Sequence, residues 1–138
     1  MTKRKKNPWF KKADKKWGEL IRAPGKCAVC GNFGRVEAHH LIHRQVHFFR
    51  HNLENGIALC AQCHKFNTTC SAHASPWAFN TWMHENRPDQ YQWWNKNRWV
   101  VVKGVKLDYE AIYKELCAVD SLHSSIHNAS NSLHSAGD

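Results

Sequence analysis

The chain carries Cys27-Ala-Val-Cys30, then Glu37-Ala-His39-His40-Leu-Ile-His43-Arg44, then Asn55-Gly-Ile-Ala-Leu-Cys60-Ala-Gln-Cys63-His64. Two Cys-x-x-Cys pairs supply four thiolates, enough to close a tetrahedral zinc site with no other ligand. Gly31, directly after the first pair, permits the tight turn that aims backbone amides at sulfur. The histidines between and after the pairs are then left for a second metal ion and for proton transfer. A disulfide framework is the alternative use of paired cysteines. A reducing compartment favours zinc, and makes Cys70 and Cys117 ordinary free thiols.

Working outward, Arg35 to Leu41 reads as a short strand and residues 43 to 55 as a polar loop with Arg44, His47, Arg50 and His51. A second strand is expected over Gly56 to Cys60, and a helix bearing His64 over Ala61 to Thr68. Upstream, Trp9, Phe10, Ala13, Trp17, Leu20 and Ile21 recur at helical spacing, with Lys11, Lys12, Lys15 and Lys16 opposite and Pro24-Gly25 as a stop. Downstream, Ser75-Pro76 has cap chemistry for a helix that puts Phe79, Trp82 and Met83 on one face and ends near Arg87-Pro88. A proline-started turn with Tyr91, Trp93 and Trp94 follows, then a possible strand at Trp99 to Val102. Leu107-Asp108 staples and caps a last helix with Ala111, Ile112, Leu116 and Val119 inward. From Asp120 onward the Ser, His and Asn content predicts disorder. Five of the seven tryptophans fall between residues 77 and 99, and are read as packing residues, with stacking on bases as the alternative.

The expected fold is a small α+β domain. It divides into a basic arm and helix (1–26), a zinc-stapled core (27–69), a Trp-rich helical extension (70–119) and a tail (120–138). At 138 residues the core is small, so zinc, worth on the order of 10 kcal/mol when four thiolates bind it, is expected to act as a folding ligand. The net charge is +9, and residues 1 to 26 hold +8 of it through ten Lys/Arg against Asp14 and Glu19. Such a block suits a polyanion, although a solubilising tail has the same composition. No apolar run approaches the ~20 residues that span a bilayer, and the lysine-rich start has no apolar segment of a secretory signal. A cytoplasmic protein is expected.

The ordered set of histidine doublet, asparagine five residues before the second cysteine pair, and histidine immediately after it resembles the HNH endonuclease family over about residues 27 to 68. That resemblance implies a ββα-metal core carrying a Cys27, Cys30, Cys60, Cys63 zinc cage, and a metal-dependent endonuclease acting on DNA. It casts His40 as general base and His39 with His64 as ligands of a catalytic divalent ion. Asn55 would brace the loop and orient His40, and Arg44, or failing that Arg50, would clamp the scissile phosphate. Two histidines and few carboxylates admit Mg²⁺, Mn²⁺, Ni²⁺ or Zn²⁺. Lys5, Lys6, Lys11, Lys12, Lys15, Lys16 and Arg50 are the expected nucleic-acid contacts. Histidine at the first metal position is similar to the colicin-type branch, but that branch carries a further histidine where this chain has Thr68, so the third ligand is unassigned and His73 is a candidate. Trp17 to Arg22 with the knuckle, His40 and Arg44 is also similar to recombination-associated nucleases of lambdoid phages, which implies a phage origin in a bacterial host. Two other readings stay open: a non-catalytic zinc module that binds nucleic acid, and a site-specific restriction enzyme.

Overall fold

The computed structural model describes residues 6–134, the last four by backbone alone. Lys5 and the final four residues of the expected tail lie outside this range. The chain forms two compact units, one spanning Trp17–Leu107 and the other combining the described residues up to Lys16 with those from Asp108 onward. No helix among the described residues is long and apolar enough to cross a membrane.

Helix α1 spans Pro8–Arg22. Pro8 starts it where a missing amide costs nothing, and Asn7 Oδ1 accepts the Trp9 amide at 3.0 Å. The expected apolar stripe is the buried one, with Ala13 and Trp17 inside and Lys11, Lys12 and Lys15 exposed. Gly25, at φ 68°, turns the chain out of the helix.

In the larger unit, β1 (Glu37–His40) pairs antiparallel with β2 (Gly56–Leu59), so that His39 faces Ile57 and His40 faces Gly56. All four residues of β2 are buried, which makes this strand the floor of the core. Ile57, Ala58 and Leu59 pack with Cys27, Val36, Cys63, Phe79 and Met83 in one cluster. Gly56 is required for space: a Cβ there would lie 2.7 Å from Trp17 Cζ2 and would also collide with Ile21. The knuckle docks on the same strand through the Ala28 amide, which donates to the Ala58 carbonyl at 2.9 Å.

The helix expected over residues 61–68 is a single wide turn, Gln62–Phe66, closed by the Asn67 amide on the Gln62 carbonyl at 2.9 Å. It stops early because the Asn67 side chain bonds both the amide and the hydroxyl of Thr69, a turn that competes with helix. Helices α2 (Pro76–Asn86) and α3 (Pro88–Asn97) follow, α3 being a full helix where only a turn was expected. Ser75 does not cap α2 with its side chain; its hydroxyl accepts the Ser71 amide at 2.6 Å and donates to the Asn67 carbonyl at 3.1 Å. No strand forms at Trp99 to Val102, where no neighbouring chain offers a ladder.

In the smaller unit, α4 (Tyr109–His134) begins at Asp108, whose carboxylate accepts the Ala111 amide at 3.1 Å. The tail expected to be disordered from Asp120 is helical as far as His134. The stretch contains no glycine or proline before Gly137, and Ser121 and Ser125 return their hydroxyls to carbonyls four residues back. Its apolar residues Leu122 and Ile126 are exposed, so this part continues the helix without burying an apolar face. Edge-on packing of Phe10 against Tyr109 and a Lys16–Asp120 ion pair of 3.1 Å hold this unit together.

Candidate active site

The four cysteines converge as their spacing predicted. Cys27, Cys30, Cys60 and Cys63 bring their sulfurs within 4.8 Å of one another, and Cys30 Sγ lies 3.9 Å from Cys60 Sγ. Sulfurs each ~2.3 Å from one tetrahedral ion stand about 3.8 Å apart, so the cluster fits zinc. Gly31 at φ 73° closes the knuckle, its amide donating to the Cys27 carbonyl at 2.9 Å. Burial pushes the Cys27 thiol up, but the backbone amides of Cys30, Cys60 and Val29 together outweigh it and bring the group down to about 7. Thiolate is the ligand form.

A second cluster lies apart from these sulfurs in residue identity and in chemistry. His39, His64 and His73 each present a ring nitrogen within 4.8 Å of the others. His39 Nδ1 is 3.1 Å and His73 Nε2 is 3.2 Å from His64 Nε2. Nitrogens ~2.0–2.1 Å from a common ion stand about 2.9–3.4 Å apart for angles between octahedral and tetrahedral, so the three rings are spaced as ligands. His39 comes from the end of β1, His64 from the wide turn after the second cysteine pair. His73 arrives because the chain folds back: the Ala72 and His73 amides each donate at 3.0 Å, to the carbonyls of Cys63 and His64. His73 from the next loop thus stands beside His64, where Thr68 offers no imidazole. Burial, then the neighbouring His64, His73 and His40, push His39 down to about 3, and burial with His64 lowers His73 as well. Neutral imidazole is the form that binds metal.

Glu37 completes this centre. His64 Nδ1 donates to its carboxylate at 2.5 Å, which leaves Nε2 as the lone-pair nitrogen facing His39 and His73. Hydrogen bonds from His64 and Lys65 hold the Glu37 carboxyl below its usual range. Sequence alone places Glu37 in the motif and as an alternative ion-pair partner of Arg44, with no role beside His64. Its signal was available, because residues two apart on a strand share a face and Glu37 shares that of His39.

His40 points to different partners. Its ring stacks on Trp17, centroids 3.9 Å apart and planes 13° from parallel, and its Nε2 is 3.0 Å from the Arg50 carbonyl. A carbonyl only accepts, so Nε2 carries the proton and Nδ1 the lone pair. Trp17 in turn donates Nε1–H to the Asn52 carbonyl at 2.9 Å. It therefore fixes both the imidazole and the loop that supplies its partner, a role its helical periodicity alone did not reveal.

Asn55 is fully buried and braces that loop from within. Its Oδ1 accepts the Ile42 amide at 2.6 Å, and its Nδ2 donates to the carbonyls of Ile42 at 3.1 Å and Phe49 at 3.0 Å. The Phe49 carbonyl immediately precedes the Arg50 carbonyl that receives His40. Arg50 Nη1 donates to the Arg44 carbonyl at 2.8 Å, so this guanidinium secures the loop, and Arg50 does not line the cleft. Arg44 does. The cleft has a volume of about 660 Å³ and is lined by His39, His40, His64 and His73 together with Arg44, Lys65, Tyr91 and Trp94. His43 is exposed at its edge, whereas His47 lines a separate groove and His51 is buried. Of the expected basic contacts, Lys6, Lys11, Lys12 and Lys15 are exposed in the smaller unit, and Lys16 is paired with Asp120.

Residues 27–69 match the HNH endonuclease family. The matched segment includes the cage, both strands, Asn55 and His64, and ends before His73. No curated protein and no solved structure matches the chain. An HNH endonuclease domain points to nuclease activity, with nucleic acid as the substrate and a divalent metal as the cofactor.

Proposed function

We propose that the HNH domain is a metal-dependent DNA endonuclease in which His39, His64 and His73 hold the catalytic divalent ion and His40 is the general base. The observation that carries this reading is the separation of labour in the doublet: His39 joins a ligand-spaced trio, while its neighbour is stacked on Trp17 and bonded to a carbonyl. Mg²⁺, Mn²⁺, Ni²⁺ and Zn²⁺ are all compatible with three imidazoles and open positions for water and phosphate. Once bound, such an ion offsets the charge that builds on the phosphate and on the leaving oxygen.

The chain's own groups account for the remaining steps. His40 Nδ1 takes a proton from water, the water oxygen bonds to phosphorus, and the bond from phosphorus to the 3′ oxygen breaks. The 3′ oxygen acquires a proton from solvent, leaving 5′-phosphate and 3′-hydroxyl ends. Trp17, Asn55 and the Arg50 carbonyl are positioning groups for His40, because each acts through the ring or its loop. Arg44, in the cleft wall, binds the scissile phosphate through its guanidinium fork. The exposed lysines of α1 add sequence-independent affinity for the DNA backbone.

A plasmid nicking assay with Mg²⁺ or Mn²⁺ tests this. His40→Ala should lower the rate by about 10²–10⁴-fold, the usual worth of a general base, with zinc content unchanged and a cooperative melt retained. Undiminished cutting by the variant removes His40 from the base role. The competing reading, a zinc module that binds without cutting, predicts no divalent-dependent nicking by the wild type.

A further inference from the structure

Part of the cleft lining is aromatic, and it continues outside. Tyr91 and Trp94 line the cleft, with ring centroids 5.5 Å apart. One helical turn on, the Arg98 guanidinium carbon lies 4.3 Å from the Trp94 ring centroid and 4.8 Å from that of Trp99. Arg98 thus lies against both indoles, and Trp99, 76% exposed, offers surface beyond it. From Tyr91 to Arg98 the rise along α3 is about 10 Å, room for about three bases at the ~3.4 Å spacing of a stacked strand and for fewer of an extended one.

We propose that Trp94, Arg98 and Trp99 form a stacking rail for the unpaired bases of single-stranded DNA beside the scissile phosphate. This deepens the nuclease reading and rests on it for the position of the phosphate. Flat indole and guanidinium faces accept any base without reading its edge, so the rail confers a preference for unstacked strands and not for sequence. Charge selects nucleic acid over a second copy of the chain. Residues 90 to 107 contain Lys96, Arg98, Lys103 and Lys106 and no Asp or Glu, so two copies meeting here would repel, whereas a phosphate strand is attracted. The rail is also continuous with the cleft, which an unrelated protein-docking patch has no reason to be.

The test is fluorescence anisotropy with the full-length zinc-bound protein, without added divalent ion so that no cutting occurs. The probes are an oligothymidylate and an abasic strand of equal length and charge. Wild type should bind the thymidylate about tenfold more tightly than the abasic strand. Trp99→Ala should lower thymidylate affinity to the abasic level without changing abasic binding, and Trp99→Phe should keep most of the difference. Trp99 is exposed, so Trp99→Ala should melt as wild type does. An unchanged thymidylate-to-abasic ratio in Trp99→Ala overturns the rail. So does a wild-type dimer in sedimentation that Trp99→Ala dissociates with thymidylate affinity intact. Nicking measured in parallel separates the two claims: absent cutting with the base preference present removes the nuclease reading alone, and normal cutting without the preference removes the rail alone.

Discussion

Replacing Asn55 by alanine removes three hydrogen bonds from a side chain with no exposure to solvent. The loss strands the Ile42 amide and the Ile42 carbonyl, whereas the Phe49 carbonyl keeps the Asn52 amide as a donor at 3.1 Å. Each buried polar group left unpaired costs about 1–3 kcal/mol, the carbonyl at the lower end because a second lone pair can relax toward other donors. The sum for these two groups is about 2–4 kcal/mol, a large share of the roughly 5–15 kcal/mol that stabilises a domain of this size. Urea unfolding at saturating zinc measures it. The effect on function should exceed the effect on folding: in buffer where Asn55→Ala remains folded, nicking should fall at least about tenfold, because the Arg50 carbonyl that orients His40 follows a Phe49 carbonyl that has lost one of its two donors. Asn55→Asp should be no milder, since it keeps an acceptor for the Ile42 amide but faces two carbonyl oxygens with a charge. A stability loss under about 1 kcal/mol together with wild-type nicking would refute the view that this side chain bolts the loop.

Four further outcomes are expected. Cys63→Ser should abolish the cooperative melt of the larger unit, because a structural zinc site short of a ligand forfeits much of its folding free energy; a normal melt with one zinc per chain argues against the cage. His73→Ala and Glu37→Gln should each weaken Mn²⁺ or Ni²⁺ binding, the latter by about 10–100-fold, in calorimetric titration while zinc content stays constant; unchanged affinity in both removes the three-histidine centre. Gly56→Ala should lower both stability and nicking, since the new methyl meets the Trp17 ring that stacks on His40; an unperturbed melting temperature would contradict the close approach. Because burial and neighbouring charge hold His39 at about 3 in the fold, the unfolded chain binds the proton first as pH falls through 6.5. That share of stability is complete above pH 6.5 and declines below it, by about 1 kcal/mol between pH 7.5 and 5.5 with no catalytic metal added. His39→Asn should lack it, and equal slopes for variant and wild type would count against the buried neutral ring.

Local chemistry wrote much of this protein into its sequence. Cysteine spacing and one glycine specified the cage, because ligation and the left-handed turn it needs are decided within a few residues. The helical period placed Trp17 inward and the lysines outward, and the histidine doublet and Asn55 marked the centre of the site. Elsewhere local preference misled: Ser121 to Ser130, weak helix formers, run on as helix, Trp99 to Val102, good strand formers, form no strand, and the turn that holds Cys63 ends at Phe66. Tertiary structure alone decided which nitrogen meets which. His73 becomes a neighbour of His64 only when backbone bonds fold residues 70–73 back, Glu37 fixes the His64 ring across the sheet, and Trp17 meets His40 from a helix more than twenty residues upstream. Such contacts depend on how separate segments pack, and no pattern confined to one segment encodes the distance between two of them.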